Sequence, residues 1–402
     1  MAHIDRMTAA PVGGATGPLT GGITPSGNQS GLRDRNARAV LSYIRRSGGL
    51  PSADIARQSG LSAQTVSNII RALETDGLIL RGAAIKGKVG KPSVPVRLNP
   101  QGAHGLGLNI GRRSAELVLV DFCGAPLESL STAYPYPTID HVFGFLQQGQ
   151  AQIQAKHPHA RITGIGVARP SRIWDWLELV DAPDEAMRRW RDLDIAARVT
   201  HQTGLEVLVE NDATSACVAE HLLGRGKAYA NFVYMFLGAF IGGGLVLNGQ
   251  VVSGRTGHAA SLGPMPMPDG SGGTTELLNL TSLHVLESLL VRDGLNPMDL
   301  RRSPEDWQFC ETQVQEWIAQ TSGPLALAAA SVTSILEVEA ILIDGAMPTE
   351  VCTRLTQAIG HAFDALNLTM MAKPGIEQAQ VGKRARALGA ALLPLHARYF
   401  LA

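Results

Sequence analysis

The stretch from 231 to 254, NFVYMFLGAFIGGGLVLNGQVVSG, carries no charged side chain, and it constrains the fold more than any other segment. An apolar run of about 20 residues would span a bilayer. Here the triple glycine at 242–244 and the group Asn248-Gly249-Gln250 interrupt the run, leaving sixteen residues from Phe232 to Leu247. That is too short for a span. The segment reads instead as two strands joined by a glycine turn and buried on both faces. Two buried strands of this kind fit a body in which strands alternate with helices.

The flanking sequence supplies that pattern. Beyond Pro100, GLGLNIG (105–111), AELVLVDFCGAPL (115–127), ITGIGVA (162–168) and LEVLVEND (205–212) read as strands. A helix over 139–157 separates the second from the third. EAILIDGAM (339–347) is a further strand with a helix over 350–370 behind it. Alternation of strands and helices on this scale predicts an α/β body over residues 100–402.

Upstream of the body, the balance of charge changes. Lysines and arginines number 35 in the whole chain, as do acids. Between 33 and 98, however, twelve basic residues face four acidic ones, a net +8. The remainder therefore carries −8, and a neutral total conceals a basic module joined to an acidic body. Residues 1–31 are rich in Gly, Thr, Pro and Ser without periodicity and are expected to be a disordered tail, with the module over 32–99.

Within the module, NARAVLSYIRRSGG is a helix with Val40, Leu41 and Ile44 on its apolar side. PSADIARQSG is a short second helix, with Ser52 expected as N-cap and Gly60 as terminator. A third helix follows a tight turn, with Ser62 as N-cap. Its Val66, Ile69, Ile70 and Leu73 make one buried stripe, so Gln64, Thr65, Asn68 and Arg71 face outward. Amides and guanidinium groups are the side chains that read base edges. Two helices joined by a glycine turn, the second polar outside, make a helix-turn-helix. Two strands then flank a Gly-rich basic loop, a wing that would carry Lys86, Lys88 and Lys91 to phosphates. Charge alone would fit a solvated bundle; turn spacing, polar face and wing together predict binding to double-stranded DNA.

Four segments of the body carry a family resemblance: VENDATSACVAEHLLGRG, GAFIGGGLVLNGQVVSGRTGHAASLGP, GGTTELL and ARALGAALL. Through them the chain resembles the ROK family of repressors, open reading frames and kinases over residues 33 to about 400, and its winged-helix repressors most of all. The resemblance implies two lobes of an actin-like, ribonuclease-H-like ATPase fold with a sugar between them. It also implies kinase machinery that this sequence departs from. Asn109 stands where the kinases hold metal-bound phosphate with an Asp, and an asparagine brings no charge to magnesium. In the second phosphate loop, Ala239 and Phe240 replace a Thr and a Gly. The family's zinc histidine and last zinc cysteine fall on Pro264 and Thr274, so no metal site is expected.

The sugar contacts implied by the resemblance are Asn211, Asp212 and Glu276, with Ser261 where the family has a glutamate. Asp212 is then the relic of a kinase base that works as a ligand contact, or else a cap on the helix that begins near Ala213. His258 reads as an ordinary loop histidine, and the basic start of GKRARALGAALL as a solvated helix end. The expected protein is a DNA-binding regulator, a repressor that senses a sugar or sugar derivative. It would act as a homodimer or homotetramer, without catalysis, cofactor or membrane attachment. Widely spaced cysteines and the lack of an apolar leader lead to an expectation of the cytoplasm. Two other readings remain: a sugar kinase with a fused DNA-binding arm, and a regulator titrated by a protein partner.

Overall fold

A computed structural model describes residues 29–83, 94–170, 173–175 and 182–401. The first elements are α1 (Gln29–Ser47), β1 (Leu50–Pro51), α2 (Ser52–Ser59), α3 (Ala63–Thr75), β2 (Ile79–Arg81) and β3 (Pro95–Leu98). The three short strands pair antiparallel in the order β1-β3-β2. Helix α1 begins at Gln29, inside the stretch read from sequence as tail. Pro51, not Ser52, occupies the N-cap of α2, and it makes no side-chain cap bond. Gly60 ends α2 in the left-handed region at φ 67°, as the sequence requires.

The body holds two five-stranded sheets built to one plan. The first comprises β4 (His104–Ile110), β5 (Ser114–Val120), β6 (Pro126–Ala133), β7 (Ile162–Arg169) and β8 (Val207–Asn211), in the order β6-β5-β4-β7-β8. The second contains β9 (Phe232–Leu237), β10 (Ile241–Leu247) and β11 (Gln250–Val251). After the small hairpin of β12 (Pro266–Pro268) and β13 (Thr274–Glu276) it adds β14 (Ala340–Gly345) and β15 (Gly375–Gln378), in the order β11-β10-β9-β14-β15. In each sheet three antiparallel strands are followed by two parallel ones. The segment read as one strand over 115–127 is two, because Asp121 accepts the Cys123 and Ala125 amides and folds a turn between them. The alternating exposure of β6 marks it as an edge strand.

Helices α4 (Ile139–Lys156) and α5 (Ile195–Thr203) cover the outer face of the first sheet, through Val142, Leu146, Ile153 and Val199. α6 (Asp212–Leu223) follows β8. α7 (Leu283–Arg292), α8 (Glu311–Leu336) and α9 (Thr349–Ala365) pack with the second sheet. α10 (Ala385–Tyr399) lies with α6 between the two sheets. This middle layer explains the triple glycine. It is not a turn but the interior of β10, where a Cβ on Gly244 would stand 2.2 Å from Cys217 Cβ of α6. The two middle helices touch just as closely, and a Cβ on Gly389 would lie 1.6 Å from the Ser215 carbonyl oxygen.

The basic module docks on the end of α10. Phe400, 1% exposed, stacks on Phe122 with centroids 5.4 Å apart, and its ring receives the Arg45 guanidinium at 4.0 Å. Arg38 Nε donates to the Phe400 carbonyl at 2.8 Å, and the Leu401 amide donates to Ser42 Oγ at 2.9 Å. The apolar core of the module is continuous with that of the middle layer. Among the described residues no helix is long and apolar enough to cross a membrane.

Candidate nucleic-acid interface and ligand cleft

Helix α3 has the two faces that its sequence demands. Val66, Ile69, Ile70 and Leu73 are buried, while Gln64, Asn68 and Arg71 are exposed and Thr65 is half-buried. Ser62 caps the helix, accepting the Thr65 amide at 3.1 Å, and its hydroxyl also meets Thr65 Oγ1 at 2.8 Å. Gln64 Nε2 donates to Asn68 Oδ1 at 3.2 Å, which sets the two amides side by side. Behind the helix, Arg81 holds Glu74 through Nε and Nη2 and fixes β2 to α3. Lys86, Lys88 and Lys91 lie outside the described residues.

The cleft between the sheets opens where β4, β8 and β9 end, the place where open α/β sheets receive ligands. Asn211 and Asp212 stand together there at the start of α6, but their roles divide. Asn211 is the N-cap, its Oδ1 accepting the Ala213 amide at 3.0 Å and the Thr214 amide at 3.3 Å. Asp212 is the first residue of the helix rather than its cap. Its Oδ1 lies 3.0 Å from the Ala213 amide, and Oδ2 is 3.8 Å from Arg386 Nη1. Arg386 is therefore no solvated helix end: three-quarters of its side chain is buried, and its guanidinium sits 5.0 Å above the Phe236 ring. Arg384 does stay exposed.

Glu210 completes this corner and was missed from sequence. Its Oε1 accepts the Asn211 amide at 2.8 Å, and Oε2 accepts Ser253 Oγ from the second lobe at 3.4 Å. Burial lifts its carboxyl to about 7, against the lowering effect of those two hydrogen bonds. The signal available was position alone, a glutamate ending a buried strand beside Asn-Asp.

In the same sheet, Asn109 at the end of β4 is 2% exposed, faces Glu116 on the neighbouring strand, and leaves Oδ1 without a partner. Burial raises the Glu116 carboxyl, while Arg386 and Arg384 pull it down. The loop 238–240 turns its carbonyls onto α7: the Leu283 amide donates to the Gly238 oxygen at 3.0 Å and the His284 amide to the Ala239 oxygen at 3.3 Å. The Gly238 amide donates to the Phe240 oxygen at 3.2 Å, and the Ile241 amide to Ser282 Oγ at 2.9 Å. Of the amides here, those of Gly238 and Ile241 are engaged within the protein and so are turned away from any anion.

Ser261 and Glu276 are both exposed, on the segment that packs over the second sheet. Glu276 is the N-cap residue of a short helix at Leu277–Thr281 and makes no side-chain cap bond. Pro264 and Thr274 are exposed as well. Between β12 and β13 the turn is organised by Asp269, whose Oδ1 accepts the Ser271 and Gly273 amides at 2.9 and 2.8 Å. Among the described residues no group of three or more His, Cys, Asp or Glu side chains is arranged to hold a metal ion. His258 is exposed.

Comparison with known proteins agrees with both halves of the architecture. A winged helix-turn-helix DNA-binding model matches residues 33–79, and the ROK family model matches 105–397. The chain is 22% identical over 242 residues to the xylose repressor of Bacillus subtilis, covering 59% of this chain and 62% of that one. The crystal structure of a ROK family transcriptional regulator, a homologue of the E. coli MLC protein, superposes with a TM-score of 0.67 at 22% identity. That match covers 92% of this chain and 97% of the other. A ROK family glucokinase from Streptomyces griseus, in complex with glucose and AMPPNP, superposes with a TM-score of 0.55 at 19% identity, covering 72% of this chain and 99% of the enzyme. With a family model spanning the body and a helix-turn-helix model spanning the arm, the chain belongs to the ROK family and carries a winged helix-turn-helix at its N-terminal side.

Proposed function

We propose that the chain is a transcriptional repressor of carbohydrate-related genes. It binds an operator through α3 and the wing, and it responds to a sugar or sugar derivative held in the cleft. The observation that carries this reading is the exposed row Gln64, Asn68 and Arg71 on a capped helix whose module is fastened to the body at Phe400. A row of amides and a guanidinium suits adenine and guanine edges in the major groove. A homodimer on a pseudo-palindrome follows from the geometry of such modules, and the cytoplasm is its place of action.

Asn211 and Asp212, at the mouth of α6, are the proposed contacts to ligand hydroxyls, with Ser261 and Glu276 approaching from the second lobe. A carboxylate accepts two hydroxyl hydrogen bonds, each strengthened by its charge. The relative named as a xylose repressor supports the regulatory reading, and Asn109 and Phe240, at positions where the resemblance implies phosphate contacts, speak against kinase activity. A mobility-shift assay with DNA upstream of the gene, repeated with a panel of sugars and sugar phosphates, tests the proposal. One ligand in the panel should change the shift. Phosphate transfer from ATP to any of these sugars, above a protein-free blank, would replace the proposal with the kinase reading.

A further inference from the structure

The two phosphate loops in which the sequence departs from the kinase pattern lie on opposite lobes, and one arginine–aromatic contact joins them. Arg112, in the turn between β4 and β5, places its guanidinium 4.0 Å from the centre of the Phe240 ring, in the loop between β9 and β10. Both ends are held in place. Tyr134 donates its hydroxyl to the Gly111 and Ser114 carbonyls at 2.8 and 2.7 Å, clamping the turn from below. On the other side, the loop is stitched to the start of α7 by the Gly238 and Ala239 carbonyls. Phe240 also meets the His284 ring edge-on at 6.5 Å.

The surroundings of Arg112 also come from both lobes. Burial lowers its pKa to about 10, and Glu287 and Asp212 offset this, while Arg301 and Arg386 add to it. Glu287 is in turn bound by Arg301 at 3.1 Å. A second stack, Arg386 over Phe236, crosses the same gap beside Asp212. One turn further along α6 and α10 their backbones are in contact at Gly389 and Ser215, with no room for a Cβ between them. The lobes are thus joined by close helix packing in the middle layer and by arginine–aromatic contacts beside it.

We infer that Arg112 and Phe240 form a latch across the cleft, holding the two lobes together without a nucleotide between them and gating access to Asp212. A desolvated cation–π pair is strong enough to bias a closure and weak enough to release. The inference goes beyond ligand sensing, since it concerns how the cleft opens whatever enters it.

Amide hydrogen exchange on the full-length chain tests it, with Arg112→Ala, Phe240→Ala, the double variant and Phe240→Tyr. Each single alanine variant should raise exchange in both 110–113 and 238–241 by roughly fivefold to thirtyfold, the range of a contact of this kind. The double variant should exceed neither single by more than about twofold, because each already removes the whole contact. Phe240→Tyr keeps an aromatic face and should exchange as the parent does. Multiplying effects in the double variant, a rise confined to the mutated loop, or unchanged exchange in the single variants would overturn the latch.

Discussion

Replacing Glu210 by Gln isolates one buried carboxyl at the edge of the cleft, and its effect can be worked from the structure. The carboxyl lies between the Asn211 amide and Ser253 Oγ, and burial raises it from 4.5 to about 7. A raised acid binds its proton more tightly in the folded state than in the unfolded chain. Its favourable contribution is therefore complete below the unfolded value of 4.5 and is lost as pH rises toward 7. Between pH 5 and pH 8 that linkage amounts to about 2–3 kcal/mol. Glutamine keeps the size and the carbonyl acceptor but cannot ionise. Stability of Glu210→Gln minus that of the parent should thus climb by about 2–3 kcal/mol from pH 5 to pH 8. Urea unfolding midpoints at four pH values measure it, and other titrating groups, Asp344 among them, cancel in the difference. A flat difference, or one that grows toward acid, would mean that Glu210 is not held in the buried state described.

Five further substitutions have expected outcomes. Gly389→Ala forces a Cβ to within 1.6 Å of the Ser215 oxygen and should cost about 3 kcal/mol or prevent folding. Gly144→Ala, in α4 with open space around it, should stabilise by about 0.5–1 kcal/mol, and thermal unfolding compares the two. Asp212→Asn should bind operator as the parent does but answer its effector at least about tenfold more weakly in a mobility-shift titration, roughly 1.4 kcal/mol; an unchanged response removes Asp212 from the ligand site. Arg71→Ala should lose about 1–3 kcal/mol of specific binding and relax preference at one position per half-site, whereas Lys88→Ala should weaken all sequences alike and lower the salt slope.

What could be seen in the sequence was whatever has a short period. The stripe Val66, Ile69, Ile70, Leu73 and the Ser62 cap follow from side-chain spacing over one helix, and the structure has both. The two buried strands of 231–254 were legible for the same reason, but the triple glycine misled. Its cause is α6 pressing on β10, a contact between segments far apart in sequence that no local pattern records. Asp121 folds 115–127 into two strands by a side-chain turn, which an apolar count cannot register. Asp212 and Asn211 were found as a pair, yet which of them caps α6 depends on one residue of backbone conformation. Arg386 was read as solvated and Glu210 was missed because their burial is created by the opposite lobe. Phe400, one residue from the described end, has meaning only once α1 is laid against it.

The central claim, that the basic module reads DNA on behalf of the body, is tested most directly by selecting duplexes from a random library on the full-length chain, with Arg71→Ala in parallel. The account predicts enrichment of one pseudo-palindromic sequence with half-sites about one helical turn apart or a multiple of it. It also predicts that Arg71→Ala weakens preference at one base pair in each half. Failure of the parent chain to enrich any sequence, or identical enrichment by both proteins, would contradict it.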